Sequence, residues 1–238
     1  MKKAFCNVSI SAVLLENSEM SPQISQILYG ETVDVLELNE GFAKINWLQN
    51  EEGWMDERHL TEISEEEFLL KKTKLITENF GIHDLKEGKT LLSIGSEIEN
   101  TEFNLFKEKN GEYIAKTAVE FLNVPYISGG RSFFGVDATG FLQLVFKVHG
   151  ISLPRNLEEM SKMGDALFFV GESEAGDLAF FGDEDGKIIH VGIMLNNFEI
   201  IHADEKVRID PIDSSGIFNK ELKKHTYLLR VVKRISFD

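Results

Sequence analysis

The sequence of 238 residues has a single cysteine, Cys6, so the chain cannot form an internal disulfide bond. A chain of this length can bury a core of its own without such a bond. It also lacks any apolar run near the roughly 20 residues that cross a bilayer, which excludes a membrane-spanning helix. We expect a cytoplasmic protein, and an exported protein whose leader was removed before residue 1 is the alternative.

Basic residues are scarce. The 25 Lys and Arg residues stand against 40 Asp and Glu residues, which gives a formal net charge of −15. Because nucleic-acid binding depends on a surplus of basic side chains at the contact face, we expect no nucleic-acid partner. The oligomeric state does not follow from the sequence, and we expect a monomer.

The first part of the chain is a series of short apolar segments separated by turns. Residues 1–15 start like a signal peptide, with two lysines before apolar residues, but polar residues interrupt the apolar stretch, so we interpret it as the first strand. Turn residues recur every 8 to 12 positions up to Gly53-Trp54, a spacing typical of a small β-barrel. Residues 1–62 resemble a bacterial SH3-like barrel, and we expect residues 63–111 to be a connector or a reduced second barrel, opening with a short helix capped by Ser64.

Residues 112–238 combine helices with later strands. The segment after Glu112 has helical periodicity up to Pro125. A second, buried helix follows residue 137, with Phe141, Leu144, Val145 and Val148 on one face. Strands are predicted at 176–182, 187–195, 198–204 and 226–235. The order predicts an α+β domain with a central antiparallel sheet.

Two histidines occur in neighbouring predicted strands, each among apolar residues. His190 shares a face with Ile188 and Met194, and His202 shares a face with Ile200. A single histidine in such a strand is typically a core residue, but two in one hairpin favour a shared site. For the rings to meet, residues 190 and 202 must pair directly across a bulge or a loop with an odd number of residues, such as 195–197, whereas a two-residue turn at 196–197 would put them on opposite faces.

The stretch GVDATGF at 135–141 has the pattern of a nucleophile turn that leads into a helix. A helix N-terminus stabilises an anion, and a thiol placed there beside an imidazole ionises below its usual pKa. The first histidine would act as base and then as proton donor, while a second polar group orients its ring. Position 138 is nevertheless an alanine, which has no nucleophilic group.

Several ordered blocks resemble the NlpC-type cell-wall cysteine peptidase family. The blocks are YISGGRSFFGVDATGF at 126–141, GDLAFF at 176–181, HVGI at 190–193 and IIHA at 200–203. The resemblance implies a papain-like α+β peptidase domain that cleaves the bond between γ-D-glutamate and a diamino acid in peptidoglycan-derived peptides, without a metal or cofactor. It places Ala138 at the nucleophile position, His190 at the base and His202 at the orienting residue. It places Tyr126, Asp137 and Thr139 in the substrate pocket, with Asp137 suited to a substrate ammonium group.

Three departures from the family pattern stand out. Ala138 replaces cysteine, Ser128 replaces tryptophan, and neither Glu19 nor Glu31 aligns cleanly with the acidic residue that the barrel would offer to the peptide amine. Thr139 is disfavoured as a substitute nucleophile, since its side chain lies about 100° further around the helix. The chain as written is therefore expected to be inactive.

The alanine has two explanations. Retention of Asp137, His190 and His202 favours a deliberate Cys-to-Ala replacement, and the alternative is a natural pseudoenzyme that binds muropeptides. A third hypothesis, a protein-interaction scaffold built on the barrel, makes the two histidines incidental, and it would be supported if they lay on opposite sheet faces.

Overall fold

A computed structural model describes residues 2–48, 51–86, 88–100 and 106–236. The chain divides into two compact units. The first comprises the described residues of Met1–Phe106 together with Ile127–Gly135, and the second those of Lys107–Tyr126 and Val136–Asp238. Residues 127–135, which are more than half of the sequence block at 126–141, therefore pack with the first unit. The predicted domain borders at 62 and 111 stay predictions.

The first unit is built on a seven-stranded antiparallel sheet with the order β3-β2-β6-β5-β4-β1-β7. Its strands are β1 Lys2–Cys6, β2 Ile10–Leu14, β3 Gln23–Leu28, β4 Thr32–Asn39, β5 Phe42–Trp47, β6 Glu51–Asp56 and β7 Leu60–Ile63. The single strand predicted over residues 1–15 is wrong, because the chain turns after Cys6 and forms two strands. Alternate residues of the sheet enclose a core that includes Val13, Ile27, Ile45 and Met55.

Shorter elements complete the first unit. They are α1 Glu65–Leu70, β8 Thr73–Leu75, β9 Phe80–Leu85, β10 Gly88–Ser93, β11 Glu97–Glu99 and the start of the β12–β13 hairpin, Arg131–Ser132 and Gly135–Val136. The predicted helix cap is confirmed, because Ser64 and Glu67 form a reciprocal capping box at α1.

A buried ion pair holds the segment 127–135 within the first unit. Arg131 Nη1 and Nη2 donate to the two carboxylate oxygens of Glu31, each at 2.7 Å. The Arg131 side chain is 2% exposed and that of Glu31 11%. Glu31 Oε2 also accepts from Leu28 N at 2.8 Å, and Arg131 N donates to Gln26 Oε1 at 2.8 Å. Glu31, one of the two acidic residues considered for the substrate amine, is thus occupied by Arg131.

In its described residues, the second unit has three α-helices and, after β13, the seven strands of its main sheet. The helices are α2 Gly111–Val119, α3 Ala138–Lys147 and α4 Leu157–Met160. After β13, the strands are β14 Asp165–Ala166, β15 Leu178–Gly182, β16 Ile188–Met194, β17 Glu199–Asp204, β18 Lys206–Asp213, β19 Gly216–Asn219 and β20 Lys224–Arg234. The unit is mostly β-structure, with fewer helical residues than the α+β prediction implied.

The main sheet of the second unit closes on itself. Its antiparallel order is β14-β20-β15-β16-β17-β18-β19, and β19 pairs with β20 as well as with β18. Strands β15 to β20 therefore form a six-stranded barrel. The predicted central antiparallel sheet is present, but β18 and β19 were missed, and these two strands close it. One end of its interior holds the apolar cluster of Phe181, Met194, Ile200 and Ile217.

Helix α3 packs against strands β16 and β17. The predicted apolar face is confirmed, because Phe141, Leu144 and Val145 are fully buried. Gly150 has a φ of 74°, as expected for a glycine after a helix. This packing fixes the position of the N-terminus of α3, where the candidate site begins.

Candidate active site

The start of α3 carries three of the predicted site residues. Asp137 is the N-cap, and its Oδ1 accepts from Gly140 N at 2.8 Å. Ala138 is the first helical residue and is partly exposed. Thr139 is buried and donates through Oγ1 to Asp137 Oδ1 at 3.3 Å. The cap thus points the N-terminal end of a ten-residue helix at position 138, where it favours a negative charge.

Arg155 forms an ion pair that the sequence did not indicate. Its Nη1 donates to Asp137 Oδ1 at 2.7 Å and to Thr139 Oγ1 at 2.8 Å, and its Nη2 pairs with Asp137 Oδ2. Both Asp137 and Arg155 side chains are mostly buried, at 14% and 10% exposed. The Asp137 carboxylate is therefore compensated by a guanidinium, and its assignment to a substrate ammonium group stays a prediction.

The two histidines lie on the same face of the barrel sheet. His190 Nε2 and His202 Nδ1 are 2.9 Å apart, and the rings meet edge to face. Both residues are nearly inaccessible, with exposures of 4% and 1%. The rings therefore do not lie on opposite faces, an arrangement that would have supported the scaffold hypothesis.

The predicted register of the two strands is wrong by two residues. His202 pairs with Gly192, and the loop is 196–198, closed by Leu195 N donating to Glu199 O. His190 therefore reaches His202 along the diagonal of the sheet. A Cβ at Gly192 would lie 2.9 Å from His202 Cβ and 2.7 Å from Ile200 Cδ1, so glycine is what leaves room for the second histidine.

A carboxylate that the sequence analysis missed stands behind His202. His202 Nε2 lies 3.2 Å from Asp210 Oδ2, on the adjacent strand β18. Arg208 Nε is 2.6 Å from the same oxygen. The Asp210 side chain is 2% exposed, so its charge is both buried and paired. The polar residues form one continuous row from Arg208 through Asp210 and His202 to His190.

Tyr227 covers the ring of His190. The two rings stack with their centroids 4.1 Å apart and their planes 19° apart. Burial raises the pKa of Tyr227 to about 12, and a hydrogen bond with Asp204 contributes to the same shift. Tyr227 is thus a neutral phenol at physiological pH, and it presents an aromatic face to the imidazole.

Position 138 and His190 open onto one cavity. The cavity has a volume of about 610 Å³ and lies wholly within the second unit. Its wall includes Tyr126, Asp137, Ala138, Thr139, Arg155, His190, Asp204, Glu205 and Tyr227. Tyr126 is 44% exposed, and burial of the remainder together with the Asp137 charge raises the pKa of its phenol. Five of the six predicted site residues line this cavity, and the sixth, His202, lies behind His190.

The electrostatic setting keeps His190 uncharged. Burial lowers its pKa well below the usual value, and the neighbouring His202 lowers it further. Among the residues that the structure describes, no group of three or more His, Cys, Asp or Glu side chains is arranged to hold a metal ion. A neutral imidazole beside a helix N-terminus can accept a proton from a group at position 138.

Comparison with known proteins identifies the family of this region. Residues 123–226 match the NlpC/P60 family. This stretch is an NlpC/P60 domain.

Curated relatives of the NlpC/P60 domain include two from Bacillus. The gamma-D-glutamyl-L-lysine dipeptidyl-peptidase of Bacillus subtilis is 39% identical over 94 residues, which cover 39% of this chain and 31% of that protein. The enzyme of the same name from Bacillus cereus is 33% identical over 120 residues, which cover 48% of this chain and 36% of that protein. The chain thus spans about a third of the length of these relatives.

A solved structure extends the likeness to nearly the whole fold. The crystal structure of an NlpC/P60 family protein from Bacillus cereus has a TM-score of 0.79 and is 20% identical, covering 98% of this chain and 99% of that chain. At this identity the likeness concerns the fold alone. The described part of the chain has no helix long and apolar enough to cross a membrane.

Two polar residues of the NlpC/P60 domain escaped the sequence analysis. Asp210 precedes Pro211, a residue that argues against a strand when it is read from sequence. Arg155 lies 18 residues from Asp137 in a segment without periodicity. The one available signal was the alternation of polar and apolar residues over 206–213, which predicts a strand beside the two histidines.

Proposed function

We propose that the NlpC/P60 domain of this chain binds short peptidoglycan-derived peptides, and that it cleaves the bond between γ-D-glutamate and a diamino acid when a cysteine stands at position 138. The observation that carries the proposal is the 2.9 Å contact between His190 Nε2 and His202 Nδ1 in a row of side chains leading to the cavity at Ala138. The two Bacillus relatives are gamma-D-glutamyl-L-lysine dipeptidyl-peptidases, which supports the choice of the γ-D-glutamyl-L-lysine bond.

The mechanism follows from the positions of these groups. A thiol at position 138 would give its proton to His190, and the N-terminus of α3 would stabilise the resulting thiolate. The thiolate attacks the γ-carbonyl carbon, and His190 returns the proton to the leaving amine as the C–N bond breaks. Water, activated by His190, then hydrolyses the γ-glutamyl thioester and releases the acid.

The chain as written cannot take the first step. Ala138 has no proton to give and no lone pair to attack, while the rest of the row from His190 to Asp210 is intact. We propose that this form binds peptide without cleaving it. The retained partners support a deliberate Cys-to-Ala replacement, and a natural muropeptide-binding pseudoenzyme is the second candidate.

The direct test restores the thiol. The Ala138→Cys variant is incubated with L-Ala-γ-D-Glu-L-Lys and with the diaminopimelate analogue, and L-Ala-D-Glu is measured by mass spectrometry. We expect cleavage by this variant and none by the parent chain or by Ala138→Cys combined with His190→Ala. A folded variant with a reactive thiol that cleaves neither peptide would overturn the proposed reaction.

Both the Cys-to-Ala variant of a peptidase and the natural pseudoenzyme are expected to bind muropeptides, so a binding measurement on the parent chain tests both. Calorimetry with the same peptides is expected to give saturable heat with Ala138 in place. A His190→Gln variant serves as a control for cavity shape, since it keeps a polar side chain at that position. The absence of heat with both peptides would exclude the muropeptide-binding candidate.

The finer description of the first unit is also a proposal. We propose that its seven-stranded sheet is an SH3-like barrel, which is supported by its short antiparallel strands and by Gly53-Trp54 on the β6 strand. A cytoplasmic location and a monomeric state complete the proposal. Cell fractionation and sedimentation of the full chain test these two points.

A further inference from the structure

The hydrogen-bond direction in the histidine pair depends on the residue behind it. The distance from His190 Nε2 to His202 Nδ1 is 2.9 Å, so one of these atoms carries the proton and the other accepts it. Each neutral imidazole has one N–H group, and therefore the choice at His202 decides which nitrogen of His190 retains a lone pair.

Asp210 determines which ring nitrogen of His202 carries the proton. Burial pushes the pKa of Asp210 up, but hydrogen bonds from His202 and Arg208 bring it below the ordinary aspartate value. Arg208 Nε lies 2.6 Å from Asp210 Oδ2, and Arg208 Nη2 donates to Oδ1 at 3.3 Å. An ionised carboxylate is only an acceptor. The proton of the 3.2 Å contact between Asp210 Oδ2 and His202 therefore lies on His202 Nε2.

The remaining protons follow from this one. When His202 carries a single ring proton, that proton lies on Nε2 and Nδ1 is an acceptor, so His190 must donate from Nε2. His190 then carries its lone pair on Nδ1. His190 and Ala138 line the same cavity, so Nδ1 of His190 is the atom that would accept the proton of a thiol at position 138.

We propose that Asp210, held by Arg208, is a positioning residue that fixes the tautomers of His202 and His190 and so makes Nδ1 of His190 the base. The assignment of a base rests on the proposed function, whereas the tautomers do not. Asp210 acts through His202 and does not line the cavity.

Other groups face the pair from neighbouring strands. Tyr227 on β20 stacks on His190, Phe181 on β15 lies 6.0 Å from the same ring, and Asp204 on β17 bonds the Tyr227 hydroxyl. The Asp137–Arg155 ion pair also lines the cavity of His190. None of these groups replaces Asp210, which is the charged side chain within hydrogen-bond distance of the histidine pair in the described residues.

The test variant is Asp210→Asn, which keeps size and removes charge. Arg208 needs an acceptor and would hold the amide oxygen, which turns the amide N–H₂ group toward His202 Nε2. The row would then reverse, with both imidazoles protonated at Nδ1. The matched control is Asp213→Asn on the same strand, because Asp213 bonds the exposed His225 and lies outside the row.

The first readout needs neither substrate nor thiol. Long-range ¹H–¹⁵N NMR at pH 8 on the Ala138 chain is expected to show both rings protonated at Nε2. The Asp210→Asn variant is expected to move those protons to Nδ1, and Asp213→Asn to leave them in place. A parent chain with His202 protonated at Nδ1, or a folded Asp210→Asn variant with unchanged tautomers, would overturn the proposal. The spectrum of the parent chain tests the predicted tautomers even if the Asp210→Asn variant fails to fold.

The second readout is kinetic. In the Ala138→Cys background, Asp210→Asn is expected to lower kcat by about 10³- to 10⁴-fold with little change in KM, the scale of a reversed tautomer. A purely structural role would instead leave kcat per folded molecule unchanged, and that result would overturn the positioning role. Since the NMR result does not depend on cleavage, failure of the proposed peptidase reaction would be recognised separately.

Discussion

The phenol ring of Tyr227 lies on the imidazole of His190, with 4.1 Å between the ring centroids. An aromatic face attracts a cation, so this stack favours the imidazolium that forms when His190 takes a proton. The opposing influence is burial, which holds the pKa of His190 low. Tyr227 thus both covers His190 and offsets part of the cost of charging its imidazole.

Substitution of Tyr227 separates these two effects. Tyr227→Phe keeps the aromatic face, whereas Tyr227→Leu keeps an apolar cover without it. We expect Tyr227→Leu to lower the His190 pKa relative to Tyr227→Phe, by an amount equivalent to about 0.5–2 kcal/mol. NMR titration of the Ala138 chain measures the difference. Equal values in the two variants would show that the aromatic face has no effect on the imidazolium.

A methyl group at Gly192 is expected to disturb the histidine pair. The Cβ of Gly192→Ala would lie 2.9 Å from His202 Cβ, so His202 must shift, and the crowding costs about 1–3 kcal/mol. We expect loss of the 2.9 Å contact in a crystal structure and at least a tenfold lower kcat in the Ala138→Cys background. Gly171→Ala is the control, because no atom lies within 4 Å of its added Cβ. Equal activity of the two variants would contradict the expected crowding.

The buried ion pair of the first unit is expected to matter for stability. Glu31→Gln leaves the Arg131 charge buried without its counter-charge, which costs about 3–5 kcal/mol. Glu62→Gln breaks the exposed pair with Lys2 and is expected to cost less than about 1 kcal/mol. Urea unfolding of each variant against the parent measures both. A loss below about 1 kcal/mol for Glu31→Gln would mean that water or another group compensates Arg131.

The stability of the chain is expected to fall as the pH drops below about 6.5. His190 has a lowered pKa in the folded chain, so in that range the unfolded chain binds the extra proton. The slope contributed by this residue reaches about 1.4 kcal/mol per pH unit, and it is absent above pH 6.5. Urea unfolding from pH 7.5 to 5.0 measures it, and His190→Gln is expected to flatten the profile. An identical slope in the variant would assign the pH dependence to other groups.

Local periodicity allowed part of this structure to be predicted. Helix α3 followed from apolar residues at helical spacing, and alternation predicted the two histidine strands, while the face shared by the two rings depended on an odd number of loop residues. The exact register did not follow, because it depends on the three-residue loop at 196–198 and on the space that Gly192 leaves. Sequence spacing predicted the two strands, but it determined neither the length of the loop between them nor the diagonal pairing of the histidines.

Long-range contacts were beyond the sequence. The β19–β20 pairing closes the barrel, and the Arg155–Asp137 ion pair joins a loop to a helix cap. Asp210 also belongs to this class, since its importance lies in a neighbour eight residues away on another strand. Such partners depend on tertiary packing that no periodic pattern encodes.

We propose that position 138, at the N-terminus of α3, and His190 together form a site for a thiolate. Iodoacetamide labelling of the Ala138→Cys variant against pH tests it directly, because the native Cys6 is fully buried and its pKa is raised to about 12. We predict rapid single-site labelling that persists well below pH 8.5, slower labelling at low pH when His190→Gln is added, and no comparable labelling of the parent chain. A thiol at position 138 that reacts only above pH 8.5, with or without His190, would contradict the claim.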